Sequence, residues 1–175
     1  MEHNHLLYDE LRYPLSDKDL QKINKGQFYI YNDLEKYDDI DKVFKGDDVV
    51  YILIETDRKN NGHYICLIRR GKMIEFFDSY GKAIEKQKNY VRPELLDTEN
   101  HIQQMLYNSP YRVSYNHHIF QDNDPDIATC GRWITLRAMH KDLPLSKFKD
   151  MVVNDCVRLD VMPDDWAVLK TQKFL

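Results

Sequence analysis

Two apolar runs separated by only two residues constrain the fold of this chain more than any other feature. The runs are His63–Arg69 and Lys72–Asp78, and Arg70 and Gly71 lie between them. Short runs rich in β-branched and aromatic residues, joined by a two-residue turn with glycine, are typical of a β-hairpin. Both faces of the pair are mostly apolar, which predicts a central position in a layered domain.

This hairpin predicts a contact between a histidine and a carboxylate. With a two-residue turn, Arg69 lies opposite Lys72, and His63 lies directly opposite Asp78. Directly opposed side chains have Cβ atoms about 4.5–5.5 Å apart, a separation at which a carboxylate can orient an imidazole. A bulge would slip the register by one residue. The predicted faces carry Ile65, Leu67, Ile74 and Phe76 on one side and Tyr64, Cys66, Ile68, Met73 and Phe77 on the other.

The rest of the chain alternates short helices with short strands. Val49–Ile54 is a continuous β-branched run and predicts a buried central strand. Other strands are expected at Gln27–Tyr31 and Tyr111–Tyr115, and helices from Ser16 to Gly26, Pro93 to Tyr107, Leu143 to Val153 and from Pro163 onward. The pattern predicts one α+β domain over residues 14–175, with a central mixed sheet flanked by helices, after an N-terminal tail at residues 1–13.

Composition excludes several classes of protein. A net charge of −4 gives no global attraction to nucleic acid. No apolar run approaches the roughly 20 residues of a membrane span, and the N-terminus lacks a secretory apolar region, so we expect a protein made in a reducing cytosol. Three cysteines, none close to another, predict neither a disulfide framework nor a zinc site.

Cys130 stands at the junction between a polar, turn-prone stretch and an apolar segment. Gln121–Asp126 precedes it, and a buried helix with Trp133, Ile134 and Leu136 follows. Free N–H groups and the positive end of the helix dipole at such a junction favour thiolate over thiol. They also stabilise an oxyanion beside the sulfur. The sequence therefore predicts Cys130 as a nucleophile.

A nucleophilic cysteine needs a base, and the base needs a group that orients it. His63 has such a group in Asp78. His140 follows Cys130 on the same helix at about 15 Å, too far to reach the sulfur. The remaining candidate bases are His101, predicted on a helix surface, and His117 and His118, near a strand end. Gln121 carries an amide donor that could complete an oxyanion hole with the Cys130 N–H.

In this order, His63, Asp78, Gln121 and Cys130-Gly131 resemble the adenain-like cysteine proteases, the clan that also holds the SUMO-specific proteases. The motifs are Gly62-His63-Tyr64, the strand ending Phe76-Phe77-Asp78-Ser79-Tyr80-Gly81, and Gln121 followed by Cys130-Gly131. Pro14–Leu20 and Phe28–Leu34 also look like the start of the compact proteases of virophages. The chain is most similar to a virophage maturation protease of the Sputnik type.

The resemblance implies a papain-related fold with the nucleophile at a helix N-terminus, and no cofactor or metal. It implies His63 as general base, Asp78 as its orienter and Cys130 as nucleophile, with Gln121 and the Cys130 N–H as oxyanion donors. Tyr64, where the family often has tryptophan, and Gly131 would lie at the substrate cleft. The gap between Gln121 and Cys130 is slightly longer than usual.

For function, the resemblance implies a cysteine endopeptidase that cleaves capsid or other virion precursor proteins during particle maturation. Such an enzyme would be found in the virion and in the cytoplasmic viral factory of the host cell. Adenoviral relatives need a peptide activator and DNA; the net acidity of this chain argues against strong DNA dependence. Three alternatives remain: a deubiquitinase or SUMO-type isopeptidase, an acyltransferase with the same triad, and a non-catalytic capsid-associated protein.

Overall fold

A five-stranded mixed sheet forms the centre of the molecule. The computed structural model describes residues 2–58, 61–84, 86 and 100–175. The strands are β1 (Gln27–Ile30), β2 (Val49–Arg58), β3 (Asn61–Arg70), β4 (Met73–Phe77) and β5 (Arg112–Tyr115). They lie side by side in chain order, β1 and β2 parallel, β2 to β4 antiparallel, and β4 and β5 parallel. The α+β class and the mixed sheet are thus confirmed.

Helices cover both faces of the sheet. In the described ranges they are α1 (Glu2–Arg12), α2 (Asp17–Ile23), α3 (Ile40–Phe44), α4 (His101–Tyr107), α5 (Cys130–Met139), α6 (Leu145–Leu159) and α7 (Pro163–Thr171), with short 3₁₀ helices at Tyr31–Lys36 and Gln172–Phe174. Ser16 caps α2 in a capping box with Asp19, as predicted, although α2 ends before Gly26. Residues 93–99 of the helix predicted from Pro93 lie outside the described residues.

The predicted hairpin is present, but its turn lies one residue further along. Arg70 pairs with Met73, so Gly71 and Lys72 form the turn. Gly71 has φ +54, and glycine at the first central position is what a type II′ turn requires. The resulting register differs by two residues from the predicted one, which leaves every side chain on its predicted face.

Each face of the hairpin packs against its own set of helices. Ile65, Leu67, Ile74 and Phe76 share a core cluster with residues of α3 and α4. Tyr64, Cys66, Ile68 and Phe77 share the other cluster with residues of α5, α6 and α7. Because apolar groups are buried on both faces, β3 is a central strand, as the sequence predicts.

Buried ion pairs hold α5 in place on the sheet. Arg137 is fully buried, and its guanidinium donates to both oxygens of Glu75 on β4, at 2.7 and 2.9 Å. Arg132, also fully buried, pairs with Glu10 of α1 and donates to Thr171 of α7 at 2.9 Å. A buried guanidinium is costly unless it is paired, so these partners fix the helix that begins with Cys130.

The expectation of a separate tail at residues 1–13 is corrected by the structure. Residues 2–12 form α1, which lies against α7. Besides the Glu10 pair, the Leu11 carbonyl accepts a hydrogen bond from the Ala128 N–H at 2.7 Å. The N-terminal segment is therefore attached to the loop that precedes Cys130. No helix in the described ranges is both long and apolar enough to cross a bilayer.

Candidate active site

His63 and Asp78 meet where the hairpin strands end. The His63 Nε2 lies 2.7 Å from the Asp78 Oδ1. Asp78 is fully buried, and the His63 side chain is 12% exposed. Strand β4 ends at Phe77, which pairs with Cys66, so His63 and Asp78 are diagonal rather than directly opposed. The predicted contact is thus present, reached by a different register.

Backbone contacts fix the Asp78 carboxylate. It accepts hydrogen bonds from the N–H groups of Tyr80 at 3.0 Å and Lys82 at 3.3 Å. Asn116, which follows β5, pairs with the Asp78 backbone: its Oδ1 accepts from the Asp78 N–H at 2.8 Å, and its Nδ2 donates to the carbonyl at 2.6 Å. Asn116 has no sequence signal beyond being a polar residue after a strand.

Gly62 allows the close strand contact that places His63. A Cβ added to Gly62 would lie 1.9 Å from the carbonyl oxygen of Ile54. Ile54 is on β2, the strand that pairs with β3. Side chains essentially never approach backbone so closely, so residue 62 must be glycine if β2 and β3 are to keep this separation. The Gly-His pair in the sequence therefore has a structural reason.

Cys130 is the first residue of α5 and lines one cavity with His63, whose proximity lowers the pKa of the thiol. Since the His63 Nε2 faces Asp78, its Nδ1 is the nitrogen left for the sulfur. The backbone groups of Tyr64 and Gly131 also lower the pKa of the Cys130 thiol. The prediction that Cys130 lies at a helix N-terminus is confirmed.

The electrostatics of the pair favour a thiolate and an imidazolium. Burial by itself raises the pKa of the Cys130 thiol, but the hydrogen bond to His63, the charge of His63 and the backbone hydrogen bonds outweigh it, so the pKa is lowered. Burial lowers the pKa of His63, yet the hydrogen bonds to Asp78 and Cys130 and their charges raise it to about 10. The two groups titrate together, and both pKa shifts act in the direction of a thiolate–imidazolium pair.

Gln121 lines the same cavity as Cys130, and its amide is fixed in orientation. Its Oε1 accepts from the Ser79 hydroxyl at 2.8 Å. Its Nε2 donates to the Tyr80 hydroxyl and to the Ile127 carbonyl, both at 3.1 Å. The Tyr80 ring also stacks on the His63 imidazole, with centroids 4.8 Å apart. Tyr80 thus contacts both His63 and the Gln121 amide. Its position in the Asp-Ser-Tyr-Gly motif does not by itself predict this role.

A cavity of about 340 Å³ opens over these groups. His63, Gln121 and Cys130 line it together, with small residues Gly62 and Ala128 beside them. The structure therefore brings all four predicted side chains, Asp78 included, to one place. Among the described residues, no group of three or more His, Cys, Asp or Glu side chains could hold a metal ion.

Tyr64 and Gly131 do not have the predicted position in the cleft. The Tyr64 side chain is 7% exposed, belongs to the core, and donates its hydroxyl to Asp17. Gly131 is buried, and a Cβ there would lie 3.2 Å from Leu15. The Tyr64 side chain points into the core cluster that it shares with residues of α5, and it does not line the cavity. The backbone groups of both residues, rather than their side chains, act on the site by lowering the pKa of the Cys130 thiol.

The rival histidines lie elsewhere. His101 bonds the carbonyl of Tyr37 on the other face of the sheet, and the His118 ring packs edge-on against Phe120. His140 lies at the C-terminal end of α5, where its ring packs against Phe148. His63 is thus the imidazole that the fold places against Cys130.

Comparison with known proteins finds one informative relative. No protein-family model and no solved structure matches the chain. A protein of Sputnik virophage, "Uncharacterized protein V9", is 34% identical over 173 residues, covering 93% of this chain and 98% of the relative. This chain belongs to the V9 family. Membership of the V9 family connects the chain to a virophage protein, and the name V9 states no activity.

Proposed function

We propose that this V9-family protein is a cysteine endopeptidase with a Cys130–His63–Asp78 triad. The observation that carries the proposal is the 2.7 Å contact between His63 and Asp78 directly beside Cys130, at the first turn of α5. A nucleophile, a base and an orienting carboxylate in hydrogen-bond reach are what acyl transfer requires. The lowered pKa of Cys130 supplies the thiolate.

The reaction begins when the Cys130 thiolate attacks the carbonyl carbon of the scissile peptide. A carbon–sulfur bond forms, and the carbonyl oxygen becomes an oxyanion. As the tetrahedral intermediate collapses, the carbon–nitrogen bond breaks and the leaving amine takes the proton of His63. His63 then removes a proton from water, the resulting hydroxide attacks the thioester, and the carboxylic acid leaves while the thiolate–imidazolium pair is restored.

The oxyanion would be stabilised by the N–H of Cys130 and the amide of Gln121. Both hydrogens of the Gln121 amide already bond, one to Tyr80 and one to Ile127. The Tyr80 hydroxyl lies on the cavity wall, and the Ile127 carbonyl is part of the loop. We therefore expect the developing oxyanion to replace the Tyr80 hydroxyl as acceptor, at the cost of a single neutral hydrogen bond.

The proposed enzyme is adenain-like and papain-related and acts on virion proteins. The chain order His63, Asp78, Gln121, Cys130 is that of the proteases it resembles, and α5 packs against β3 of the central hairpin. The V9 relative comes from a virophage, so capsid or other virion precursors are the proposed substrates. The virion and the cytoplasmic viral factory are the proposed sites of action, with a peptide activator as a further proposed partner.

Co-expression with the structural proteins of the parent particle tests this function. Mass spectrometry of the products should reveal new N-termini with wild-type protein and none with Cys130→Ala. Cys156→Ala is the matched control, because Cys156 is a second helical cysteine, on α6, that does not line the cavity of His63, and the variant should cleave like wild type. Equal cleavage by Cys130→Ala would end the proposal.

A further inference from the structure

A buried carboxylate outside the triad connects two segments of the site. Asp164, in the first turn of α7, is 5% exposed. Its Oδ1 accepts from the Thr129 hydroxyl and from the Trp133 indole N–H, the latter at 2.9 Å. Its Oδ2 accepts from the backbone N–H of Asp122 at 2.8 Å. One carboxylate thus binds α5 with one oxygen and the preceding loop with the other.

Those two segments carry the two halves of the proposed oxyanion hole. Thr129 directly precedes Cys130, whose N–H is one donor, and Asp122 directly follows Gln121, whose amide is the other. Asp164 therefore connects the two segments on which the proposed donors lie. Helix α7 is a firm support for it, since the Trp166 ring stacks on Trp133 with centroids 5.8 Å apart.

Thr129 gives up a local hydrogen bond in making this contact. It is the N-cap residue of α5, yet its side chain forms no capping hydrogen bond. Threonine at an N-cap ordinarily accepts from a backbone N–H of the first turn. Here the hydroxyl donates to Asp164 instead, which leaves the N–H groups of the first turn free of side-chain acceptors beside the sulfur.

We propose that Asp164 is a positioning residue that sets the Gln121 amide and the Cys130 N–H at the separation an oxyanion requires. The inference depends on the proposed function, because it assigns Asp164 a part in acyl transfer by Cys130. It predicts a selective defect: formation of an acyl-enzyme needs the oxyanion hole, whereas alkylation of the thiolate by iodoacetamide develops no oxyanion and needs only the thiolate and access to it.

The probe for acylation is N-acetylglycine p-nitrophenyl ester, whose small acyl group suits a cavity lined by Gly62 and Ala128. The Cys130 thiolate forms the thioester, and the carbon–oxygen bond breaks to release coloured p-nitrophenolate with its electron pair. Water then hydrolyses the thioester to N-acetylglycine. The rate with Cys130→Ala gives the background. The alkylation probe is iodoacetamide, followed at the Cys130 peptide by mass spectrometry.

Asp164→Asn is the principal variant, because it keeps the shape but cannot accept on both atoms. If the amide oxygen of the asparagine accepts from Thr129 and Trp133, its NH₂ group faces the Asp122 N–H. Two donors then face each other, and the loop that carries Gln121 shifts. We expect acylation to be about 10- to 100-fold slower, because removing an oxyanion donor outright slows such reactions about 100- to 1000-fold and this variant only displaces one. Alkylation should stay within about threefold of the wild-type rate. Asp165→Asn, the same charge change on the next, half-buried residue, should leave both rates unchanged.

Thr129→Val is the second variant, for the case that Asp164→Asn loses the wild-type circular dichroism spectrum. This substitution removes the hydroxyl that donates to Asp164 and keeps the side-chain volume nearly constant. It should slow acylation several-fold more than alkylation. Acylation by Asp164→Asn at the wild-type rate, or a parallel loss of acylation and alkylation, would overturn the inference. So would the loss of folded structure in both variants. Absence of Cys130-dependent acylation in the wild-type protein would instead overturn the proposed function.

Discussion

Two cysteines on the same side of the sheet are both buried, but their pKa values are shifted in opposite directions. Cys66 on β3 and Cys130 at the start of α5 belong to one core cluster, with exposures of 0% and 9%. Burial raises the pKa of Cys66, and the charge of Glu75 raises it further. For Cys130, burial acts in the same direction, but His63 and the backbone hydrogen bonds reverse it.

The comparison shows that the pKa values of the two thiols differ because Cys130 has His63 as a partner, and not because their exposures differ. Cys66 lies on the same strand as His63, yet its neighbours across the strands are Tyr51 and Phe77. A thiolate there would face apolar groups and the Glu75–Arg137 pair, and burial and Glu75 outweigh the opposing charge of Arg137. Cys130 instead meets an imidazole whose own charge is stabilised by Asp78. The predictions that follow remove these differences one at a time.

Removing the imidazole should have the largest effect. In His63→Ala, Cys130 keeps its burial but loses the hydrogen bond and the charge that lower its pKa. At an ordinary thiol pKa of about 8.5 or above, only about 3% or less is thiolate at pH 7, so we expect iodoacetamide to label Cys130 at least about tenfold more slowly. Labelling of Cys156 in the same sample is the internal control. An unchanged rate at Cys130 would mean that His63 does not set its reactivity.

Neutralising the carboxylate should have a smaller effect, on the base itself. In Asp78→Asn, His63 loses the hydrogen bond and charge that help to raise its pKa to about 10. Removal of a close opposite charge typically moves a pKa by about one to three units, here downward. His63 would then lose its proton at lower pH, and the alkaline limb of the acylation rate would move to lower pH with it. Asp165→Asn should leave the limb in place, and a limb still near pH 10 in Asp78→Asn would contradict the assignment.

The smallest effect is expected at the other cysteine. Cys66→Ala removes a fully buried sulfur and leaves a small cavity among Tyr51, Phe77 and their neighbours, at a cost of about 1 kcal/mol in the free energy of unfolding. Urea unfolding measures that cost. Acylation and Cys130 labelling should stay within about twofold of wild type, and a large loss of either would show that the two thiols are coupled.

Much of the hairpin could be predicted because its signals are local. Alternation with a period of two residues assigns Ile65 and Cys66 to opposite faces, and the faces survive a register shift of two. The turn itself could not be placed, since Gly71 satisfies either central position of a two-residue turn. The contact between His63 and Asp78 was predictable because it needs only the two ends of that hairpin.

The supports of the site could not be predicted because they come from distant segments. Asn116 contacts Asp78 because β5 packs beside β4, and Asp164 contacts Thr129 because α7 packs against α5. No sequence spacing predicts either contact. The family resemblance implies a cleft position for Tyr64 and Gly131, whereas the packing of α2 and α5 on the sheet buries both residues. The N-terminal helix left a weak signal, with Leu7 and Leu11 at helical spacing.

The most direct test of the ion pair is the pH dependence of iodoacetamide labelling at all three cysteines of the wild-type protein, read by mass spectrometry. Cys130 should be labelled first at pH 7, with a midpoint below the value of about 8.5 for an ordinary thiol, because its pKa is lowered while burial raises those of Cys66 and Cys156. The imidazolium should persist to about pH 10, where His63 loses its proton. A Cys130 midpoint at or above that of Cys156 would contradict the account.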